Sequence, residues 1–360
     1  MCICVSAESK TCAVALQSSW SLKAFGFSTR AHEPMPMYVV VYLPAFNEAA
    51  TIGRVLDDIP TNLPGVSALH KIVIDDGSTD DTVAIAQQHG ARVVRHARNL
   101  GTGRAFVSGV SASLRAGADI IVSMDADGQF RGEDIVRLIA PICDGVADVV
   151  LCTRFADQNL IGHMPAAKRL GNQLLTKAIS AFAGTRFTDV SCGFRAMSRE
   201  AALRVDIHSD YEYIHESLLN WSRHGITITE VALPVLAERP IGESRIMNSV
   251  VRYALRSAPV LIRAIRDHSP IKFFGVLSTA VAVPSFLAGA FVSWHWLRTG
   301  ETAPFTSLIT LSVGGLLMAF MLGIVALLAD LVSRMRFQLE EMLYESRRSR
   351  IAPPIFEKPR

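Results

Sequence analysis

Asp125-Ala126-Asp127-Gly128-Gln129 follows the apolar run Asp119-Ile-Ile-Val-Ser-Met. At strand spacing, residues i and i+2 point the same way, so Asp125 and Asp127 converge. Gly128 permits a tight turn and Gln129 adds a neutral oxygen. Two carboxylates with an amide oxygen suit a hard dication, Mg2+ or Mn2+, shared with a diphosphate. Ordinary surface turns also contain Asp-x-Asp, and its place directly after a buried run is what points to a metal. A second acidic pair, Asp75-Asp76, closes another apolar run in Ile74-Asp-Asp-Gly-Ser-Thr-Asp-Asp-Thr82. Ser78, Thr79 and Asp80 are natural N-caps for a following helix. Adjacent carboxylates at a strand end repel unless they bind something, and a nucleoside ribose or base offers the hydroxyl and N–H donors.

The segments that must position these side chains alternate between two periodicities. Tyr38–Leu43, Lys71–Asp75, Ala91–His96, Asp119–Asp125 and Asp148–Thr153 are short β-branched runs, and amphipathic stretches near 48–59, 80–89, 103–116 and 132–142 separate them. Near-continuous apolar strands alternating with helices predict an α/β fold, a mostly parallel sheet with helices on both faces. Ligands bind such sheets beyond the carboxyl ends of the strands, where both acidic pairs stand. Other chemistries are excluded. Gly101-Thr102-Gly103 opens like a dinucleotide fingerprint, but Phe106 takes the third glycine position; there is no Gly-x4-Gly-Lys-Ser/Thr and no Gly-x-Ser-x-Gly. The six cysteines form no Cys-x-x-Cys and read as reduced thiols. His208, His215 and His224 read as ordinary polar residues.

Half the residues are hydrophobic and 19% are charged, where a soluble domain carries about a quarter charged. The excess lies in Phe273–Leu297 and Ala303–Ala329, 25 and 27 residues without a charge, each longer than the roughly 20 needed to cross a bilayer. Pro284 inside the first predicts a kink. The short link between them predicts an antiparallel two-span transmembrane hairpin. Arginines before it (Arg252, Arg256, Arg263, Arg266) and after it (Arg334, Arg336, Arg347, Arg348) put both ends, and the α/β part that precedes it, in the cytoplasm. Within 246–268 those first four arginines share one helical arc against an apolar one, as in a helix lying in the interface, though Pro259 divides it. The expected organisation is a Ser-rich tail (1–36, with Met35 or Met37 as alternative starts), an α/β domain (37–245), an amphipathic juxtamembrane segment (246–270), two spans (271–330) and a basic cytoplasmic tail (331–360). A net charge of +3 is too mild to argue for nucleic acid.

Pro44-Ala-Phe-Asn-Glu48, Asp75-Asp-Gly-Ser78, Asn99-Leu-Gly-Thr-Gly103, Asp125-Ala-Asp-Gly128 and Asp189-Val-Ser-Cys-Gly-Phe-Arg195 occur in this order. In them the chain resembles glycosyltransferase family 2, inverting enzymes with the Rossmann-like GT-A fold. Within it, the chain is most similar to the polyprenyl-phosphate branch that includes dolichyl-phosphate mannose synthase. The resemblance spans about 38–245. It implies that Pro44, Asn47, Glu48, Asp75, Asp76 and Gly103 hold the nucleoside diphosphate, and that Asp125, Asp127 and Gln129 hold the metal. Arg154 and Arg169 would meet an acceptor phosphate. Arg239-Pro-Ile-Gly-Glu-Ser-Arg245 matches the branch's closing loop, with Arg239 catalytic and Ser244 and Arg245 on phosphate. Asp189 would either orient the acceptor or cap a turn. Glu216 and Glu230 match the branch's spacing, whereas Cys192 departs from its pattern. The implied reaction is metal-dependent sugar transfer from a nucleotide sugar to a polyprenyl phosphate at the membrane, by a chain able to form homo-oligomers. A processive polysaccharide synthase and a non-catalytic nucleotide-sugar-binding scaffold are the alternatives.

Overall fold

The computed structural model describes residues 37–154, 166–207, 213–235, 266 and 269–351. The tail 1–36, the loop residues Arg239, Ser244 and Arg245, and the amphipathic segment apart from Arg266 and its last two residues lie outside them.

β1 (Met37–Ala45) is an uninterrupted apolar run and takes an interior place in the sheet, paired along both edges. Helix α1 (Ile52–Asp58) leads to β2 (Val66–Asp75), α2 (Thr82–Gln88) to β3 (Arg92–Arg95), and α3 (Thr102–Arg115) to β4 (Ile120–Ser123). After α4 (Ile135–Cys143) come β5 (Val149–Thr153), α5 (Ala166–Ala183), β6 (Arg195–Ser198), α6 (Arg199–Arg204), α7 (Ile214–Arg223) and β7 (Ile228–Ala232). The seven strands are ordered β3-β2-β1-β4-β6-β5-β7. All neighbours pair parallel except β6, which is antiparallel to both β4 and β5. Both faces are covered, as expected. Along β1, Val39, Val41 and Leu43 pack with α1 and α4, while Val40 and Tyr42 pack under α3 and α7.

The chain leaves β1 for β2 on one side and reaches β4 on the other, so a crevice opens at the carboxyl ends of β1 and β4. Because β6 runs the other way, its amino end lies at that same edge, with Arg195 opposite Ser123 and Leu151. Residues 189–194 therefore reach the crevice from the far side.

Two differences from the sequence expectation bear on the site. β4 ends at Ser123, so Asp125 and Asp127 stand beyond the strand, where the strand alternation read from the sequence does not apply. β2 begins at Val66, well before Lys71, because its first half is only half-buried and lacks an apolar run.

Two helices long and apolar enough to cross a membrane follow, α8 (Pro270–Thr299) and α9 (Thr306–Arg350), and most of their side chains are exposed. α8 stays helical through Pro284. The pair packs closely through small residues: a Cβ on Gly289 would lie 2.5 Å from Ser312 Oγ, and Ser278 Oγ donates to Ala319 O at 2.8 Å. Close backbone approach of this kind is how spans associate without a hydrophobic driving force. α9 then continues for almost six turns beyond Ala329, to Arg350, through the segment read as a basic tail. Arg204 pairs with Glu341 at 3.0 Å, Tyr344 donates to Glu200 at 2.9 Å, Arg223 donates to Ser333 O at 2.7 Å, and Arg347 donates to Val205 O at 2.8 Å. One face of the helix is thereby fixed to α6 and the end of α7.

Candidate active site

The loop after β1 is built on the loop after β2. Asn47 adopts φ 53°, a left-handed conformation that asparagine tolerates. Its N–H donates to Ser78 Oγ at 2.9 Å, and its Oδ1 accepts from Thr79 N at 2.8 Å. Glu48 N donates to Thr82 Oγ1 at 2.8 Å. Of the residues read as helix caps, Ser78 thus turns its hydroxyl and Thr79 its N–H to the neighbouring loop, and the N-cap of α2 is Asp81.

The two adjacent carboxylates do not face one another. Asp75 is fully buried; its Oδ1 accepts from Ser78 N at 3.0 Å and its Oδ2 pairs with Arg95 Nε at 3.1 Å. Asp76 accepts from Leu100 N and Gly101 N, both at 2.9 Å, and lies 2.7 Å from His96 Nδ1. It therefore anchors the Asn99–Gly103 loop at the start of α3, where Gly103 is buried. Pro44 is the penultimate residue of β1. These six residues stand at the carboxyl ends of β1 and β2, in the loop after β1, directly after β2 and at the start of α3.

Asp127 is 4% exposed, and its Oδ1 accepts from Gln129 N at 3.0 Å. Thr51 Oγ1 donates to Ala126 O at 2.8 Å and so ties this turn to the β1 loop. Asp125 lies against Gly193: a Cβ there would sit 2.9 Å from Asp125 Oδ2. Only glycine leaves the carboxylate its place, which gives Gly193 in the Asp189–Arg195 motif a physical reason. No three His, Cys, Asp or Glu side chains cluster as a metal site among the described residues. Two carboxylates and the Gln129 amide are nonetheless a hard-oxygen donor set, of the kind that suits a dication completing its shell with phosphate oxygens.

On the other side of the crevice, Arg154, next after β5, is paired in two-pronged fashion with Asp189. Its Nε donates at 2.7 Å and Nη2 at 3.1 Å, and Nη2 also reaches Ser191 Oγ at 2.6 Å. Ser191 N and Asn172 Nδ2 donate to the same carboxylate at 3.0 and 3.3 Å. Burial by itself would raise the Asp189 pKa, but the hydrogen bonds and charge of Arg154 outweigh it and hold it below the ordinary range. Burial likewise opposes the Arg154 cation, and Asp189 more than restores it. Asp189 thus orients a cation. Arg169 is exposed on α5, one turn before Asn172.

Glu230 on β7 entered the sequence reading only through its spacing from Glu216. Here its carboxylate accepts from Thr188 N at 2.9 Å, Thr188 Oγ1 at 2.8 Å and Asp189 N at 3.1 Å. An acid directed at backbone 41 residues away leaves no local spacing signal. Glu216 stands in the first turn of α7, partly buried. His215 is buried in the core, and His224 stacks on Phe337 of α9. Cys143, Cys152 and Cys192 are free thiols.

Residues 40–205 match the model of a family described as glycosyl transferase family 2. A glycosyltransferase of Mycobacterium bovis, Mb0553, is 33% identical over 215 residues, 59% of this chain and 91% of its own. The polyprenol monophosphomannose synthase of Mycolicibacterium smegmatis is 26% identical over 60% of this chain and 83% of its own. The UDP-N-acetylglucosamine–dolichyl-phosphate N-acetylglucosaminyltransferase of Methanococcus voltae is 28% identical over 55% and 85%. Among solved structures, glucosyl-3-phosphoglycerate synthase from Mycobacterium tuberculosis, in complex with Mn2+, UDP-glucose and phosphoglyceric acid, superposes with a TM-score of 0.50 at 26% identity, covering 64% of this chain and 80% of that one.

Proposed function

The chain belongs to glycosyltransferase family 2, and on that premise we propose that it transfers a sugar, with inversion, from a nucleoside-diphosphate sugar to a polyprenyl phosphate at the cytoplasmic face of a membrane. The observation that carries the acceptor is the juxtaposition of an anchored cation, Arg154 on Asp189, with the Asp125–Asp127 turn, in a domain fastened to two lipid-length helices. Two relatives named for polyprenol or dolichyl phosphate support the same acceptor.

The chemistry follows from charge. A phosphate monoester has its second pKa near 6, so the acceptor is already an anionic nucleophile at neutral pH and needs no strong general base. The difficulty is to bring two anions together. Asp125, Asp127 and Gln129 would hold Mg2+ or Mn2+, which supplies electrostatic stabilisation of the departing diphosphate; a structural neighbour crystallised with Mn2+ supports this. Asn47, Glu48 and Asp76, with their loops, position the nucleoside, and Pro44, Asp75 and Gly103 support those loops. Arg154, kept in place by Asp189, and Arg169 receive the acceptor phosphate. Arg239, Ser244 and Arg245 close over both substrates in the same reading. Prealigned cations cost no reorganisation when charge develops, which is where such sites gain most of their rate.

The test is a panel of UDP- and GDP-sugars given to the full chain with Mn2+ and undecaprenyl phosphate, the lipids then being read by mass spectrometry. One donor should yield a polyprenyl-phosphate sugar. Turnover only with a soluble phosphorylated acceptor would sink the lipid assignment, and donor binding without any turnover would sink the catalytic one.

A further inference from the structure

Past Ala329, the face of α9 turned away from the α6–α7 dock is apolar and, among the described residues, uncovered. Val332, Met335, Leu339 and Met342 are 63%, 57%, 55% and 60% exposed. Together with Leu328 they are spaced by four, three, four and three residues, and the same alternation runs back through Met318 to Leu311, with Gly314 its one small member. Within the span an apolar face needs no explanation, since lipid covers it. Beyond the span it does. Thr306–Ala329 is about 36 Å of helix at 1.5 Å per residue, already longer than the roughly 30 Å hydrocarbon core. Asp330, Arg334 and Arg336 confirm by their charge that the chain has left it.

A repeat of 3.5 residues is the seam of helices that supercoil about one another, whereas a helix packing on a globular core follows 3.6. The geometry points to a second copy of this chain as the occupant, the two α9 helices lying parallel along the seam from the membrane to Met342. The proposal rests on α8 and α9 spanning the bilayer. Parallel orientation then follows, because both copies enter the membrane from the same side. The residue choice agrees: the β-branched Val325 and Val332 fall at one core position and Leu328 at the other, the arrangement favouring two strands. So does charge. In a parallel in-register pair, the residue before one core position faces the residue five further along the partner; here Glu345 meets Arg350, both exposed and of opposite sign. At 100° per residue the seam lies roughly opposite Ser333, Phe337, Glu340 and Tyr344, so one helix holds its own catalytic domain on one side and its twin on the other.

The test uses the full chain in membranes. Under mild oxidation, Met335→Cys should form a disulfide-linked dimer at least fivefold more than Arg334→Cys, an exposed neighbour off the seam, with the unmodified chain as baseline for its native cysteines. In detergent, Val332→Glu/Leu339→Glu should have half the protein mass of the wild type while remaining folded by circular dichroism, since both side chains are exposed on the single chain. Equal cross-linking at the two positions, a wild type that is a single chain, or an unchanged mass in the double variant would overturn the proposal. Quenching by brominated bilayer lipid of the added fluorescence of Met335→Trp, over the wild type with its own Trp294 and Trp296 in α8, would also overturn it, by placing the stripe in lipid. Alkaline extraction of the wild type reports separately on the spans.

Discussion

Replacing Asp189 with asparagine isolates the pair that holds the candidate acceptor cation. The Asp189 side chain is fully buried, Arg154 is 20% exposed, and the carboxylate accepts from Arg154 Nε and Nη2 as well as Ser191 and Asn172. Removing one partner of a buried pair costs about 3–5 kcal/mol. Asparagine keeps one oxygen for Ser191, so the lower end, about 3 kcal/mol, is expected. For a domain of this size each kcal/mol moves Tm by about 2–4 °C, giving a fall of roughly 6–12 °C in a scan of the purified protein. The sign with pH also follows. Because the folded pKa is depressed, the stabilisation is complete above the unfolded value, near 4, and is lost as pH falls through the lower folded value. The variant should lack that dependence. In kinetics the acceptor KM should rise well beyond the donor KM, since the damage passes through Arg154. A double-mutant cycle with Arg154→Ala should show coupling near the top of the usual range, about 2–3 kcal/mol. Unchanged Tm, or equal effects on both KM values, would refute the reasoning.

Gly193→Ala puts a methyl 2.9 Å from Asp125 Oδ2 and must displace that carboxylate; kcat should fall about 100-fold with little change in Tm, as expected for a shift near 1 Å at the reacting centre. Asp127→Asn should abolish Mn2+-dependent turnover while the protein remains folded by circular dichroism, and substantial residual activity would remove the metal assignment. Glu230→Gln leaves a single acceptor oxygen for the Thr188 and Asp189 donors; a stability loss of about 1–3 kcal/mol and a raised acceptor KM, measured by melting and initial rates, are the expected outcome.

Much of this architecture was legible because burial leaves a compositional mark. β1, β4 and β5 are buried on both faces and read as apolar runs, and the acidic turns follow them directly. β6 escaped notice because Arg-Ala-Met-Ser is short and begins with a buried arginine, whose Nη1 reaches Ser217 and whose Nη2 reaches Cys192 O. Its reversed direction, set by pairing across distant segments, has no local signature. The same holds for Asp189: a carboxylate meeting an arginine 35 residues away reads as a turn cap until the fold joins them. The end of α9 carries enough arginine to read as a solvated tail, and its helicity shows only once alternate turns are seen to dock on α6 and α7.

Since α9 is unbroken from Thr306 to Arg350 and grips the catalytic domain at Ser333, Glu341, Tyr344 and Arg347, the height and the heading of the crevice above the lipid are set together. One residue inserted near Asp330 would lift the domain by about 1.5 Å and swing it by about 100°. Seven would lift it about 10 Å with only some 20° of residual rotation. Reach toward the head groups can therefore be lengthened in whole-heptad steps, and single insertions or deletions at this neck would aim the crevice elsewhere.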